Sequence, residues 1–389
     1  MKILITGAYG FIGKNLICEL KNKGYDDLCF CGSDTKIEEL DNYAKNCDFI
    51  FHLAGINRTE RTEEFMEGNF KFTKTLLELL EKHQNKAPIL CTSSTQARLD
   101  NPYGKSKLAE EELLLDYEKK TGTQLFVYRL TNVFGKWCRP NYNSVVATFC
   151  YNIANDLPIH ITDENRIMKL IYIDDVVQAF IACLEENFAL HSHKESDNRF
   201  VLNTIHEVGL RKLAELIKRF KDGRTIFETP DMGDELSKKL YSTYLSYLPE
   251  EQFSYPLKMN IDDRGSFTEI LKAGGFGQIS VNISKPGITK GNHWHHTKTE
   301  KFLVVKGEGV IRLRKVTLND FKSVGQASIE SKNEKIAEYY VSDEKLEVVD
   351  IPPGYTHNIT NLGKTDMVTI IWANESFNAE KTDTYFLKV

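Results

Sequence analysis

The chain has no cysteine after Cys183, no apolar run of bilayer length, no basic stripe, and no internal repeat or low-complexity tract. Each absence excludes something. The eight cysteines form no CxxC pair, which suits reduced thiols in a cytoplasmic protein and argues against a disulfide framework. The opening stretch carries only a three-residue apolar run, Ile3 to Ile5, too short for a signal-peptide core, so neither secretion nor a membrane partner is expected. A net charge of -5 with interspersed signs leaves no source for the electrostatic attraction that dominates nucleic-acid binding, and no nucleic-acid partner is expected. With 389 residues, 41% hydrophobic and 27% charged, the chain is not biased toward disorder and can fill two cores of ordinary size.

Residues 1 to about 185 alternate short apolar runs (Ile3 to Ile5, Phe49 to Leu53, Ile89 to Cys91, Leu125 to Tyr128) with amphipathic stretches of helical length, the rhythm of βαβ units. Apolar residues recur at three and four from Phe65 through Phe72, Leu76, Leu79 and Leu80, and again from Leu108 to Leu114 and Leu115. Both are expected to be core faces. After Phe253 the texture changes to short alternating segments broken by Gly, Asn and Pro, such as Gln278 to Ile283, Phe302 to Val305 and Met367 to Trp372, which predicts an antiparallel β-sandwich or barrel. Between the two, Glu228 to Pro256 reads as helix-poor, tyrosine-rich and proline-bounded. Two domains are therefore expected, residues 1–250 and 251–389.

Gly7-Ala8-Tyr9-Gly10-Phe11-Ile12-Gly13 follows the first apolar run and opens a helical pattern with Ile12, Leu16, Ile17 and Leu20 on one face. Glycines there let backbone approach a pyrophosphate at a helix N-terminus, where unpaired N–H groups and the helix dipole favour an anion. A tight strand-to-helix turn needs glycine without any ligand too, so position at the start of a βαβ unit decides for a dinucleotide. Further on, Tyr103-Gly104-Lys105-Ser106-Lys107 opens a helix, and the i, i+4 spacing sets Tyr103 and Lys107 on one face. A phenol of ordinary pKa about 10 gives up a proton readily near neutrality only beside a positive charge, and Lys107 supplies it. Thr92-Ser93-Ser94 ends the strand before, where a hydroxyl can bond the same carbonyl.

The later half carries Gly287, His293-Trp294-His295, Glu300 and Gly307, then Pro352-Pro353-Gly354-Tyr355-Thr356-His357 and Asn361. Strand alternation puts His293 and His295 on one face, a neighbouring strand can bring Glu300 opposite, and His357 completes a set of three imidazoles and a carboxylate. That donor set favours a transition metal over calcium, with zinc the default for non-redox chemistry. His296 is expected to face outward.

The glycine turn, together with Asp48-Phe49-Ile50-Phe51-His52-Leu53-Ala54-Gly55, resembles the extended short-chain dehydrogenase/reductase family. The resemblance implies a Rossmann fold and a nicotinamide dinucleotide held by Gly7, Gly10, Phe11, Ile12, Gly13, Leu53, Ala54 and Gly55. Of Thr92, Ser93 and Ser94, it implies Ser94 as the partner of Tyr103 and Lys107. The segment from Tyr128 through Arg129, Asn132 and Gly135 matches that family's RxxNxxG pattern, in which Asn132 faces the substrate nucleotide and Arg129 is either a substrate contact or a structural ion pair. Lys136, Trp137 and Arg139 offer cationic and aromatic groups for a diphosphate and a uracil ring. The His and Glu spacing resembles the cupins, a double-stranded β-helix fold, and Asp262-Asp263-Arg264-Gly265-Ser266-Phe267-Thr268-Glu269 resembles the opening of the nucleotide-sugar 3,5-epimerases. Arg264 and Glu269 are then substrate contacts or simply a surface pair.

Taken together, NPYGKSK, FGKWCRPNYNSV, DDRGSFTE and ITKGNHWHHTKTEKFLVV resemble a family of bacterial capsular-polysaccharide enzymes that fuse such a reductase to a cupin. The resemblance implies a UDP-linked 4-ketosugar, UDP-2-acetamido-2,6-dideoxy-L-arabino-hexos-4-ulose, epimerised at C3 by the cupin and reduced at C4 with NADPH, in a homo-oligomer of two or more chains. Arg58 is the candidate partner of the NADPH 2'-phosphate, although Asp34 sits where an acid would bind a free ribose 2'-hydroxyl. For the C3 base, Lys285, His295 and Tyr355 all remain open. Two other functions fit the same motifs, a 4-ketosugar reductase with a non-catalytic cupin and a nucleotide-sensing binding protein.

Overall fold

The structure, a computed structural model, describes residues 1–321, 335–376, 380 and 382–389. The resemblance to the capsular-polysaccharide enzymes is weakest over Lys315 to Lys335, where it implies a lengthened barrel loop, and most of that stretch falls outside the described residues. Backbone contacts divide the chain into two units, Met1–Lys218 with Glu235–Pro249, and Arg219–Asp234 with Glu250–Val389. The single cut expected near residue 250 is thus the last of three crossings between units.

In the first unit β1 (Ile3–Thr6), α1 (Phe11–Asn22), β2 (Leu28–Cys31), α2 (Ile37–Asn46) and β3 (Phe49–His52) form a continuous βαβαβ run. Every residue of β1 and β3 is buried, as central strands covered on both faces require. α3 (Glu63–Phe65) passes through a π turn at Met66–Lys71 into α4 (Phe72–Lys82), and β4 (Ile89–Ser94), α5 (Pro102–Thr121) and β5 (Leu125–Leu130) follow. Then come β6 (Asn132–Phe134), α6 (Val145–Ala154), β7 (Ile167–Tyr172), α7 (Ile173–Leu184), β8 (Ser192–Lys194), β9 (Phe200–Leu202), β10 (His206–Gly209) and α8 (Leu210–Ile226). The main sheet runs β2-β1-β3-β4-β5-β9-β8, parallel throughout except for β8. Strand alternation splits its core in two. Ile3, Ile5, Phe49 and Phe51 pack toward α1 and α7, whereas Leu4, Ile50 and Ile89 pack toward α2, α4 and α5.

Two expectations from periodicity are corrected here. Leu108 is exposed, and the buried face of α5 is largely polar, with Ser106, Lys107, Glu110 and Glu111 on it alongside Leu114 and Tyr117. The stretch read as helix-poor holds α9 (Glu235–Leu245), which buries Ser237, Leu240, Thr243 and Tyr244 at spacings of three and four. Half of that face is Ser and Thr, so hydrophobicity alone does not reveal its period.

The second unit takes in the last turns of α8, from Arg219, and then β11 (Glu228–Thr229), which pairs in parallel with β13. Its strands are β12 (Met259–Asp262), β13 (Gly265–Ala273), β14 (Gly277–Ser284), β15 (Thr289–Trp294), β16 (Glu300–Lys306), β17 (Glu308–Lys315), β18 (Ile336–Ser342), β19 (Val348–Ile351), β20 (Tyr355–Asn361), β21 (Met367–Ala373) and β22 (Tyr385–Phe386). They form two sheets, β11-β13-β14-β21-β16-β19 with β12 on β13, and β18-β17-β20-β15-β22. β14 inverts the usual alternation. It buries Gln278, Ser280, Asn282 and Ser284 while Ile279, Val281 and Ile283 are only half-buried, so the surface it turns inward is polar. All eight cysteines are free thiols, and no helix among the described residues is long and apolar enough to cross a membrane.

Candidate functional site

The first unit opens a cleft of about 680 Å³ at the C-terminal ends of β1, β3, β4 and β5. Its floor is the glycine turn. Gly7 lies in the left-handed region at φ +67°, and a Cβ there would sit 2.7 Å from the Ala54 backbone nitrogen. A Cβ on Gly13 would lie 2.4 Å from the Gly7 carbonyl oxygen, so the two glycines set how closely α1 approaches the turn. Gly7, Gly10, Phe11, Ile12, Gly13, Leu53 and Gly55 all line the cleft. Ala54 contributes backbone, donating its N–H to the Thr6 hydroxyl at 3.2 Å.

α5 delivers the other wall. Asn101 caps it by accepting from the Gly104 N–H at 2.8 Å, Pro102 occupies its first turn, and Gly122 closes it at φ +73°. Tyr103, Lys107 and Ser94 line the same cleft. Ser93 lines it too, but its hydroxyl donates to the buried Glu111 carboxylate at 2.5 Å. Lys107 is buried and its ammonium donates to the Thr92 carbonyl at 3.0 Å and to Glu110 at 2.7 Å. Burial works against that ammonium, but the Glu110 carboxylate overrides it and holds Lys107 above its ordinary value. Glu110 is depressed in turn, burial opposing and Lys107 prevailing. Behind the pair, Thr73 donates to Glu110 at 2.9 Å and contacts His52 at 2.8 Å, all fully buried. Gly55 leaves room for the ammonium, since a Cβ there would lie 3.1 Å from Lys107 Nζ. Periodicity missed Glu110 because it sits in the run Glu110-Glu111-Glu112, which reads as a solvated face.

Asn132 and Arg139 also line this cleft, Arg139 over the Tyr142 ring at 5.0 Å. Arg58 does not line it. Its guanidinium donates to the Tyr142 carbonyl and lies 5.8 Å from that ring, on the loop after β3. Arg129 is a structural ion pair, buried and bidentate to Glu111 at 2.9 and 2.6 Å, with Asp197 at 2.6 Å.

The second unit encloses a separate cavity of about 790 Å³ between its two sheets. His293 on β15 pairs directly opposite His357 on β20, while Glu300 enters from β16 in the other sheet. The ligand atoms of His293, His295, Glu300 and His357 all lie within 4.8 Å of one another. Glu300 Oε2 stands 3.4 Å from His295 Nε2 and 3.2 Å from His357 Nε2, yet all three atoms are buried without a hydrogen bond. Converging orphan acceptors at this spacing fit a metal ion, which would satisfy them together. Burial, with His357 beside it, pushes His293 down to about 4, so the imidazole is neutral and free to ligate at pH 7. The two imidazoles hold Glu300 far below the carboxylate range in spite of burial. His296 is exposed, as expected, against Trp294 and Tyr385.

Arg264 and Glu269 both line this cavity but do not pair with each other, since Arg264 bonds Asp262 at 2.6 Å and Glu269 pairs with Lys272 at 2.8 Å. Of the candidate bases only His295 lines it. Lys285 is exposed and Tyr355 packs against the core. The structure adds Lys290, which lines the cavity and donates to Asn282 at 2.9 Å and the Ile283 carbonyl at 2.8 Å, with burial pushing its ammonium below the ordinary value. The inverted alternation of β14 is the sequence signal that could have found this polar wall.

Residues 3–196 match the NAD dependent epimerase/dehydratase family, and residues 260–385 match the polysaccharide biosynthesis C-terminal domain. The chain is 41% identical over 389 residues to the UDP-2-acetamido-2,6-beta-L-arabino-hexul-4-ose reductase of Pseudomonas aeruginosa, covering 100% of this chain and 99% of that one. It superposes on the capsular polysaccharide assembling protein CapF of Staphylococcus aureus with a TM-score of 0.89 and 49% identity, over 100% of both chains. The chain belongs to the CapF family. UDP-glucose 4-epimerase of Thermotoga maritima, at 20% identity and a TM-score of 0.52 over 64% of this chain and 98% of that one, is similar in fold alone. Membership of the CapF family makes the chain a nucleotide-sugar enzyme with an NAD-type reductase domain and a β-rich C-terminal domain.

Proposed function

We propose that the chain is a bifunctional enzyme of capsular polysaccharide biosynthesis. Its C-terminal unit, a cupin, epimerises C3 of UDP-2-acetamido-2,6-dideoxy-L-arabino-hexos-4-ulose, and its N-terminal unit then reduces the C4 ketone to give UDP-2-acetamido-2,6-dideoxy-L-talose. The observation that carries this reading is the pair of polar cavities, each built within one unit. One has Ser94, Tyr103 and Lys107 beside a glycine turn, and the other has four convergent metal donors beside Lys290.

The C4 ketone acidifies the hydrogen at C3, so inversion needs a base, a holder for the oxyanion that develops as the proton leaves, and the return of a proton to C3 from the opposite face. A divalent metal bound by His293, His295, Glu300 and His357, zinc by the chemistry of the donors, supplies positive charge for that oxyanion. His295 is committed to the donor set, which leaves Lys290 as the base, burial holding its ammonium below the ordinary value. In the other unit a nicotinamide dinucleotide held at the glycine turn of Gly7, Gly10 and Gly13 would supply the hydride for C4. Tyr103 gives its phenolic proton to the carbonyl oxygen, Ser94 bonds that same oxygen, and Lys107 steadies the phenolate left behind. Reduction removes the ketone, and with it the acidity at C3, so the inverted centre is locked. The resemblance implies NADPH, whereas Asp34 favours a free 2'-hydroxyl and Arg58 is engaged by Tyr142. Titrating the full chain with NADH and NADPH separates the two.

The reductase assignment is tested by Tyr103→Phe, which should keep dinucleotide binding and slow ketosugar reduction at least ~100-fold, the lower range for losing a positioned general acid. Near-normal turnover in that variant would remove Tyr103 from the mechanism.

A further inference from the structure

The last described residues of the chain, Thr382 to Val389, lie along β15, which carries the donor His293 and is followed directly by the donor His295. β22 pairs antiparallel with β15, Phe386 opposite His293 and Tyr385 opposite Trp294, and the Leu387 N–H donates to the Asn292 carbonyl at 2.9 Å. Asp383 stands where this strap meets the turn from β15 to β16, which is also the link from His295 to Glu300. Its carboxylate accepts the successive backbone N–H groups of His296 at 2.8 Å, Thr297 at 2.8 Å and Lys298 at 2.9 Å, and the Thr297 hydroxyl at 3.0 Å. Its main-chain carbonyl meets His295 Nδ1. A carbonyl can only accept, so Nδ1 carries the proton and the lone pair of that ring is on Nε2, the buried atom left without a partner among the donors.

We propose that Asp383 is the positioning residue of the metal site, fixing the tautomer and ring orientation of His295 and the turn that separates it from Glu300. The inference rests on the metal reading given above. One residue thereby sets two ligands that come from opposite sheets, through contacts that touch neither the ion nor the sugar.

The test uses the full chain stripped of metal and titrated with Zn²⁺ alone in competition with a chelating dye. Asp383→Ala should weaken zinc binding by roughly 10- to 100-fold, the range for losing a ligand's supporting partner, and Asp383→Asn, which keeps the shape but presents an NH₂ to N–H donors, should fall between it and the native chain. Nitrogen-detected NMR of the metal-free protein reads the mechanism directly. His295 should hold the Nδ1–H tautomer in the native chain; Asp383→Ala keeps the main-chain carbonyl but removes the carboxylate clasp that holds it against the ring, so that bias should weaken, a change that loss of stability alone would not produce in the folded fraction. Zinc binding to either variant at native strength would overturn the proposal while leaving the metal site standing. Failure of the native chain itself to bind zinc would overturn the metal reading, and this inference with it.

Discussion

At Lys107 an ammonium faces the Glu110 carboxylate at 2.7 Å with both side chains buried, so neither charge can fall back on water. Removing one member of such a pair leaves the other uncompensated in a medium of low dielectric, which costs about 3–5 kcal/mol. Glu110→Gln should lower stability by that order, read as a drop in the denaturant midpoint of the first unit's transition. A variant as stable as the native chain would mean that the pair is not the buried counter-charge described here. Tyr103 and Lys107 were legible in the sequence because i, i+4 neighbours on a helix meet whatever surrounds them. Glu110 was not, because which member of an acidic triplet is buried depends on how α5 lies on β4. The metal donors were legible for a similar local reason, strand alternation for His293 and His295. Lys290 was hidden by a rule that assigns polar residues of a strand to solvent, which β14 and β15 break around a polar cavity.

Among the elements, α5 and the 3₁₀ turn at Thr95–Arg98 meet at Gly104, where a Cβ would lie 2.3 Å from the Gln96 carbonyl oxygen and 2.5 Å from that of Leu99. Both neighbours are backbone and cannot swing aside. Gly104→Ala should therefore push the start of α5 off the end of β4, displacing Tyr103 from Ser94. Overpacking of this kind costs about 1–3 kcal/mol, and a shift of an ångström in a reacting group is enough for a fall of about 100-fold in ketosugar reduction. Zinc binding by the second unit should not change, and unaltered reduction would show that this contact does not set the cleft. Elements were readable from sequence where the buried residues are mostly apolar, as in β1 and β3. They were misread where the buried face is polar, as in α5, or built from Ser and Thr, as in α9.

On the scale of the whole molecule, composition separates an α/β half from a β half, but it reduces three crossings to one. β11 belongs with the second unit through pairing to β13, so a fragment begun near residue 250 would lose a strand. Two residues of pairing, Glu228 with Lys272 and Thr229 with Ala273, leave no hydrophobic pattern long enough to notice. The central claim is a division of labour, with enolisation at C3 in the second unit requiring a base and a positive charge but no hydride. Its most direct test is the intact chain, given the 4-ketosugar in deuterated water with no nicotinamide present and followed by NMR at C3. The account predicts deuterium entering C3 well above the background in buffer, undiminished in Tyr103→Phe and slowed at least ~100-fold in Lys290→Gln, the lower range for losing a general base. Exchange no faster than buffer would contradict it and leave the protein a 4-ketosugar reductase with an attached binding domain.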